Sequence, residues 1–203
     1  MRRNRAPGLL VLAFALGASF AGLGALGPRE GVAQRIVPTA DPRHWKIKYA
    51  DSLLSINDRC AVKEGALSPD IRPIYVNGTP VGFCCTTCPP VFMQGPEPYL
   101  ERMKAKFKDP VFPAKPAQVT ARLRYHVNWE IFYFADRLSL DEFRRNVTRY
   151  CGTVTDPVNG ARFRPAVTSP VVRHGGRPYY FTSDANRVRF QTTPMQFAIR
   201  KGA

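Results

Sequence analysis

Cys84, Cys85 and Cys88 put three thiols within five residues, and Cys60 lies upstream of them. Thiolates are soft ligands. Three of them with a fourth group suit Zn(II), and two or three suit Cu(I). Mg and Ca prefer oxygen ligands, which this stretch lacks. Cys84 and Cys88 are four residues apart across a turn into a helix, so their sulfurs can face one point. A helix N-terminus also lowers a thiol pKa. The competing reading is a disulfide, most simply Cys60 with Cys84 or Cys88. Five cysteines is an odd number, so at least one stays free, binds metal or pairs with another molecule. Cys151 is a candidate fourth ligand or disulfide partner, and equally a small buried hydrophobe.

Other reactive residue types form no constellation. His44, His126 and His174 read as surface or packing residues, and Asp136 and Asp156 are isolated carboxylates without a paired acid or base. The chain has no hydrolase elbow, phosphate loop, dinucleotide fingerprint or His-Glu-x-x-His motif. Metal binding without catalysis is the expectation, and no catalytic residue is assigned.

The thiols need a scaffold. Ile74 to Phe83 alternates around Asn77-Gly78, a strong short-range hairpin signal. Pro89-Pro90 fits only the first turn of a helix, which places a helix start at Cys88. The pattern then recurs. From Phe83, an aromatic follows nine residues on at Phe92, a proline thirteen on at Pro96 and an aromatic sixteen on at Tyr99. Phe181 gives Phe190, Pro194 and Phe197 at the same offsets, and Phe134 gives Phe143, Val147 and Tyr150. Strand-type residues precede each reference Phe, and helix starts follow it. Ser139 to Glu142 reads as a capping box, and Ser183 or Asp184 as an N-cap. The fold class expected is α+β, with about three degenerate hairpin-plus-helix units packed together. Only the first carries thiols. At the positions of Cys84, Cys85 and Cys88 the others have Ala135, Asp136 and Ser139, or Thr182, Ser183 and Asn186. Those units rely on aromatic packing.

Around these units, residues 1–33 read as an export signal or N-terminal anchor. Arg2, Arg3 and Arg5 precede an apolar run from Leu9 to Leu26, and Gly31 and Ala33 offer a cleavage site. Residues 34–57 read as a linker and short lead segment, with a helix from Asp51 to Asn57. Residues 58–108 form the module with cysteines, and 119–150 and 151–203 the degenerate ones. Lys104 to Gln118 reads as a linker. The formal charge is +15, and setting aside Arg2, Arg3, Arg5, Arg29 and Glu30 leaves 26 basic against 14 acidic residues. In an exported protein that surplus points to a solvated basic surface with weak contact to anionic envelope material, and not to nucleic acid.

Cys60-Ala61-Val62, the hairpin, Gly82-Phe83-Cys84-Cys85-Thr86-Thr87-Cys88, Phe92, Pro96 and Tyr99-Leu100 together resemble the YHS domain and its relative the TRASH domain. Asp156 to Gly160, Tyr179-Tyr180-Phe181, Phe190 and Pro194 are similar to the same family without its cysteines. The resemblance implies small α+β modules associated with heavy-metal sensing, trafficking and resistance. It also implies a metal set of Cys60, Cys84 and Cys88, with Cys85 an extra thiol. The function expected is an exported protein, periplasmic or extracellular, that binds Zn or Cu for sequestration or trafficking. Its partners would be the ion and a metal donor or acceptor. The alternative is an interaction module whose cysteines form disulfides.

Overall fold

The computed structural model describes residues 34–198. The segment read as a signal or anchor, 1–33, lies outside the described residues. Among those described, no helix is long and apolar enough to cross a membrane.

The lead segment is not a linker. Strands β1 (Arg35–Pro38) and β2 (Trp45–Lys48) pair antiparallel. Ile47 and Tyr49 alternate with Lys46 and Lys48, so one face enters the first core. The Trp45 Nε1–H donates to Leu67 O at 2.8 Å and ties the hairpin down. No helix spans Asp51 to Asn57. The Asp51 carboxylate accepts from Leu53 N at 3.1 Å, Ser52 is left-handed at φ 65°, and Lys48 bridges Leu54. A local turn made by the aspartate thus displaces the helix.

The α+β class is as the sequence predicts. Strands β3 (Ile74–Val76) and β4 (Thr79–Val81) precede helices α1 (Cys88–Gln94) and α2 (Glu97–Arg102). Strands β5 (Arg124–Val127) and β6 (Glu130–Tyr133) precede α3 (Arg137–Arg145) and α4 (Val147–Tyr150). After the short pair β7 (Val154–Thr155) and β8 (Arg162–Phe163) come β9 (Val171–His174), β10 (Arg177–Tyr180), α5 (Asp184–Thr192) and α6 (Pro194–Phe197). The β3–β4 and β5–β6 hairpins join into one sheet, ordered β4-β3-β6-β5, through a parallel contact of Val76 with Ile131.

The aromatic offsets are ring contacts. Phe83 and Phe92 have centroids 5.4 Å apart, Phe134 and Phe143 5.0 Å, and Phe181 and Phe190 5.2 Å. The ring sixteen residues after each reference Phe then packs on the second of the pair: Tyr99, Tyr150 and Phe197. Each hairpin thus grips its helix through one aromatic pair, worth about 0.5–1.5 kcal/mol beyond area burial. The tight turns fit the same logic. Asn77 and Gly78 are both left-handed, as are Gly175 and Gly176, whereas in the middle turn Asn128 takes that conformation at φ 52°.

Two further expectations are corrected. The N-cap of helix α3 lies three residues before the Ser139–Glu142 box: it is Asp136, which accepts from Ser139 N at 2.9 Å. Ser139 is buried inside the helix, while Glu142 holds Asn146 and the Tyr150 hydroxyl. Ser183 caps α5 as expected. Lys104 to Gln118 is a folded loop and not a free linker, with Phe107 and Asp109 buried and Lys108 bridging Pro116.

Candidate metal centre

Cys60 sits on a tight loop closed by the Arg59–Ala66 bridge, with Cys60 N donating to Gly65 O at 2.7 Å and Glu64 N to Cys60 O at 2.9 Å. The second helix fixes that loop from outside: Arg102 donates to Ala61 O at 2.6 Å and pairs with Glu64 at 3.0 Å. Cys84 follows the buried Phe83 as the chain leaves β4, and Cys88 opens α1. These elements bring three sulfurs to one point. The Sγ atoms of Cys60, Cys84 and Cys88 all lie within 4.8 Å of one another, and Cys84 and Cys88 are 3.8 Å apart. Two sulfurs at about 2.3 Å from one tetrahedral ion would be about 3.8 Å apart, so the spacing fits a shared ion. All five cysteines are free. Cys60 and Cys88 are buried and Cys84 half-buried, which makes Cys84 the open side of the trio.

The remaining two cysteines are not part of this convergence. Cys85, grouped with the ligands on sequence grounds, points its sulfur 3.3 Å from Cys88 Sγ and 3.2 Å from the Thr87 hydroxyl, outside the trio. Cys151, the candidate fourth ligand, is buried in the second apolar cluster with Val147, Val154 and Phe132. It lies at the end of α4, which packs against a different hairpin. Among the described residues no further His, Cys, Asp or Glu joins the three sulfurs.

Burial decides most of the electrostatics. Desolvation pushes the Cys88 and Cys84 thiols up, and the neighbouring sulfurs add to this for Cys88. The expected lowering by the helix start does not reach them. Cys60 goes the other way. Burial opposes its thiolate, but the N–H groups of Lys63, Cys84 and Val62 outweigh that and bring the pKa below its ordinary value. The thiol of Cys85 falls to about 6 through the Thr87 hydroxyl and the Cys88 sulfur. Cys151 is pushed up to about 12 by burial. The histidines are not ligands of this site. His126 is buried in β5 with its pKa lowered to about 3 by desolvation, His174 packs against Phe190, and His44 pairs with Asp41.

No known protein family, curated protein or solved structure matches this chain. The informative comparison is internal. In the first unit the Cys60 sulfur accepts from Lys63 N at 3.5 Å, and the Cys84 and Val62 N–H groups favour its thiolate. In the second, the buried Asp109 carboxylate accepts from Val111 N, Phe112 N and Ala135 N at 2.8, 3.0 and 2.6 Å. In the third, the buried Asp156 carboxylate accepts from Val158 N at 2.9 Å and from Thr182 N and its hydroxyl at 2.8 Å. Cys84, Ala135 and Thr182 each follow the reference Phe, so one backbone N–H finds a sulfur in one unit and a carboxylate in the others. Asn186, at the position of Cys88, completes the third knot with a bond of 2.9 Å to Asp156.

A second recurring device is an asparagine clamp. Asn57 accepts from Gly82 N at 2.8 Å and donates to Gly82 O and Arg59 O at 2.9 and 2.6 Å. Asn77 does the same with Tyr133 and Lys108, and Asn128 with Tyr180 and Thr155, at 2.7–2.8 Å. Each amide joins the residue before the reference Phe to the residue before the sulfur or carboxylate. Sequence reasoning missed these residues, although Cys60-Ala61-Val62, Asp109-Pro110-Val111 and Asp156-Pro157-Val158 offered a signal.

Proposed function

We propose that the chain binds one soft transition-metal ion, Zn(II) or Cu(I), through Cys60, Cys84 and Cys88, and that it sequesters or passes on that ion without catalysis. The observation that carries this reading is the convergence of three sulfurs from three separate elements on one point. The chemistry of the set agrees: N–H groups already stabilise a thiolate at Cys60, and no hard oxygen ligand joins the sulfurs among the described residues. Three protein ligands leave a coordination position for an exogenous donor or acceptor thiol, and Cys84 faces the side from which it would come.

Residues 58–108 are on this reading a YHS- or TRASH-like module, and the later units are relatives that exchanged thiols for a carboxylate knot. Export is supported by the positive residues and apolar run before residue 33. The test is reconstitution of reduced protein with Zn(II) or Cu(I), followed by elemental analysis. About one ion per chain is expected for a three-thiolate site, falling to background in Cys84→Ser with Cys88→Ser. Reduced protein that retains neither ion after gel filtration overturns the proposal.

A further inference from the structure

The sulfurs of Cys85 and Cys88 lie 3.3 Å apart, closer than the 3.8 Å between Cys84 and Cys88. They are separated by two residues, Thr86 and Thr87, the spacing of a dithiol that can close into a ring without moving the backbone far. Their surroundings differ. Cys88 is fully buried and belongs to the converging trio, whereas Cys85 is half-exposed and does not. The loop between them is reachable, since Thr86 lines an open cleft of about 600 Å³ together with Pro89, Met93 and Trp129. An accessible thiol is thus in sulfur-to-sulfur contact with a buried candidate ligand.

From this juxtaposition we infer that Cys85 and Cys88 form a redox couple that controls the metal site, an inference that rests on the three-thiolate reading for its consequence but not for its chemistry. The oxidant is a small-molecule disulfide of the glutathione class. The Cys85 thiolate attacks one of its sulfurs, forming a mixed disulfide and expelling one thiolate. Cys88 gives up its proton to solvent and attacks the Cys85 sulfur. The second small thiolate leaves as the Cys85–Cys88 bond forms. Two protein thiols have lost two electrons, and one small disulfide has become two thiols. Cys88 then has no thiolate to offer, the trio is reduced to Cys60 and Cys84, and the ion is released. In the other direction, an ion held by Cys88 competes for the resolving thiol and slows ring closure at Cys85 without preventing it.

The test has two arms on the full chain. In the first, reduced metal-free protein is equilibrated in glutathione buffers of graded ratio, alkylated and mapped by tandem mass spectrometry. The expected species is two mass units lighter than reduced protein before alkylation, and after it Cys60, Cys84 and Cys151 are alkylated while Cys85 is joined to Cys88. A bond involving Cys60 or Cys84 in their place, or none under oxidising buffer, overturns the inference whether or not the protein binds metal. In the second, Zn(II)-loaded protein is exposed to oxidised glutathione with a chromogenic chelator present. Wild type is expected to release zinc at least tenfold faster than Cys85→Ser, which keeps all three ligands. Equal release rates overturn the control step while leaving the metal site standing. Failure of both proteins to load either Zn(II) or Cu(I) overturns the proposed function and leaves the first arm to decide the couple.

Discussion

The first and third units solve one problem with different chemistry. Each must tie an early loop, the strand end after a buried Phe, and the start of a helix into one knot. In the third, Asp156 does so alone: a single carboxylate collects Val158 N, Thr182 N, the Thr182 hydroxyl and the Asn186 amide, all within 2.9 Å. In the first, the place of that carboxylate is taken by the Cys60 sulfur, and the residues aligned with Thr182 and Asn186 are Cys84 and Cys88. Sulfur is a weak acceptor, so the thiol knot is looser until something with strong affinity for sulfur joins it. A carboxylate knot is complete as folded; a thiol knot is open to a ligand.

The largest expected effect follows from that asymmetry. Asp156→Ala leaves two part-buried N–H groups, a hydroxyl and an amide without their charged acceptor, and should cost about 3 kcal/mol. Cys60→Ala in metal-free protein removes only weak N–H to sulfur contacts and should cost about 1 kcal/mol. Urea unfolding of both variants measures the difference. Equal losses would mean that the two knots are mechanically alike in the absence of metal.

The clamps give the next effect. Asn128→Ala removes a side chain that makes three bonds and also forces alanine into a left-handed turn, for about 2–3 kcal/mol. Asn57 makes the same bonds to the first unit from an ordinary conformation, so Asn57→Ala should cost about 1 kcal/mol less. Denaturant midpoints decide this, and a costlier Asn57→Ala would place the first unit's rigidity in its lead hairpin.

How much of this can be read from the sequence depends on the range of each interaction. The Phe83–Phe92 and Phe181–Phe190 contacts show as fixed offsets because each joins a strand end to the helix right after it. The Asn77-Gly78 turn shows because the left-handed conformation restricts residue type. The sulfurs stand out by chemistry alone, yet their sequence does not say that Cys85 touches Cys88 without joining the trio or that Cys151 packs in the second core with Val154. Asn57 reaches Gly82 across 25 residues, and Asn77 reaches Tyr133 across 56, so the clamps leave no common period. The lead strands are hidden between prolines, and Asp136 and Ser139 are rival caps three residues apart, which only packing separates.

Exchanging the two chemistries is a sharper test with a smaller effect on folding. Cys60→Asp places a carboxylate where Val62, Lys63 and Cys84 already direct N–H groups, so metal-free stability should stay within about 1 kcal/mol of wild type. Zinc retention should fall by at least the roughly 10–100-fold seen when a supporting group alone is lost. Competition with a chelator measures the second quantity. Undiminished zinc binding would remove Cys60 from the ligand set.

Acid should separate the units with the smallest change. Burial pushes the Asp156 carboxyl up, but Thr182 N, the Asn186 amide, Val158 N and the Thr182 hydroxyl together hold it below its ordinary value of 3.8. A carboxylate whose pKa is depressed by folding adds stability that is present above the unfolded value. That stability fades as pH drops below 3.8 towards the folded pKa, because the unfolded chain takes up the proton first. In the first unit the acceptor at that place is the Cys60 sulfur, so no carboxylate takes up a proton within the knot. Lowering the pH below 3.8 should therefore shift the amide resonances of Val158 and Thr182 while that of Cys84 stays in place. Asp156→Asn should abolish the shift. If Cys84 moved together with Thr182 in the metal-free protein, the two knots would have to share a titrating group, and the contrast between a closed carboxylate and an open thiol cluster would fail.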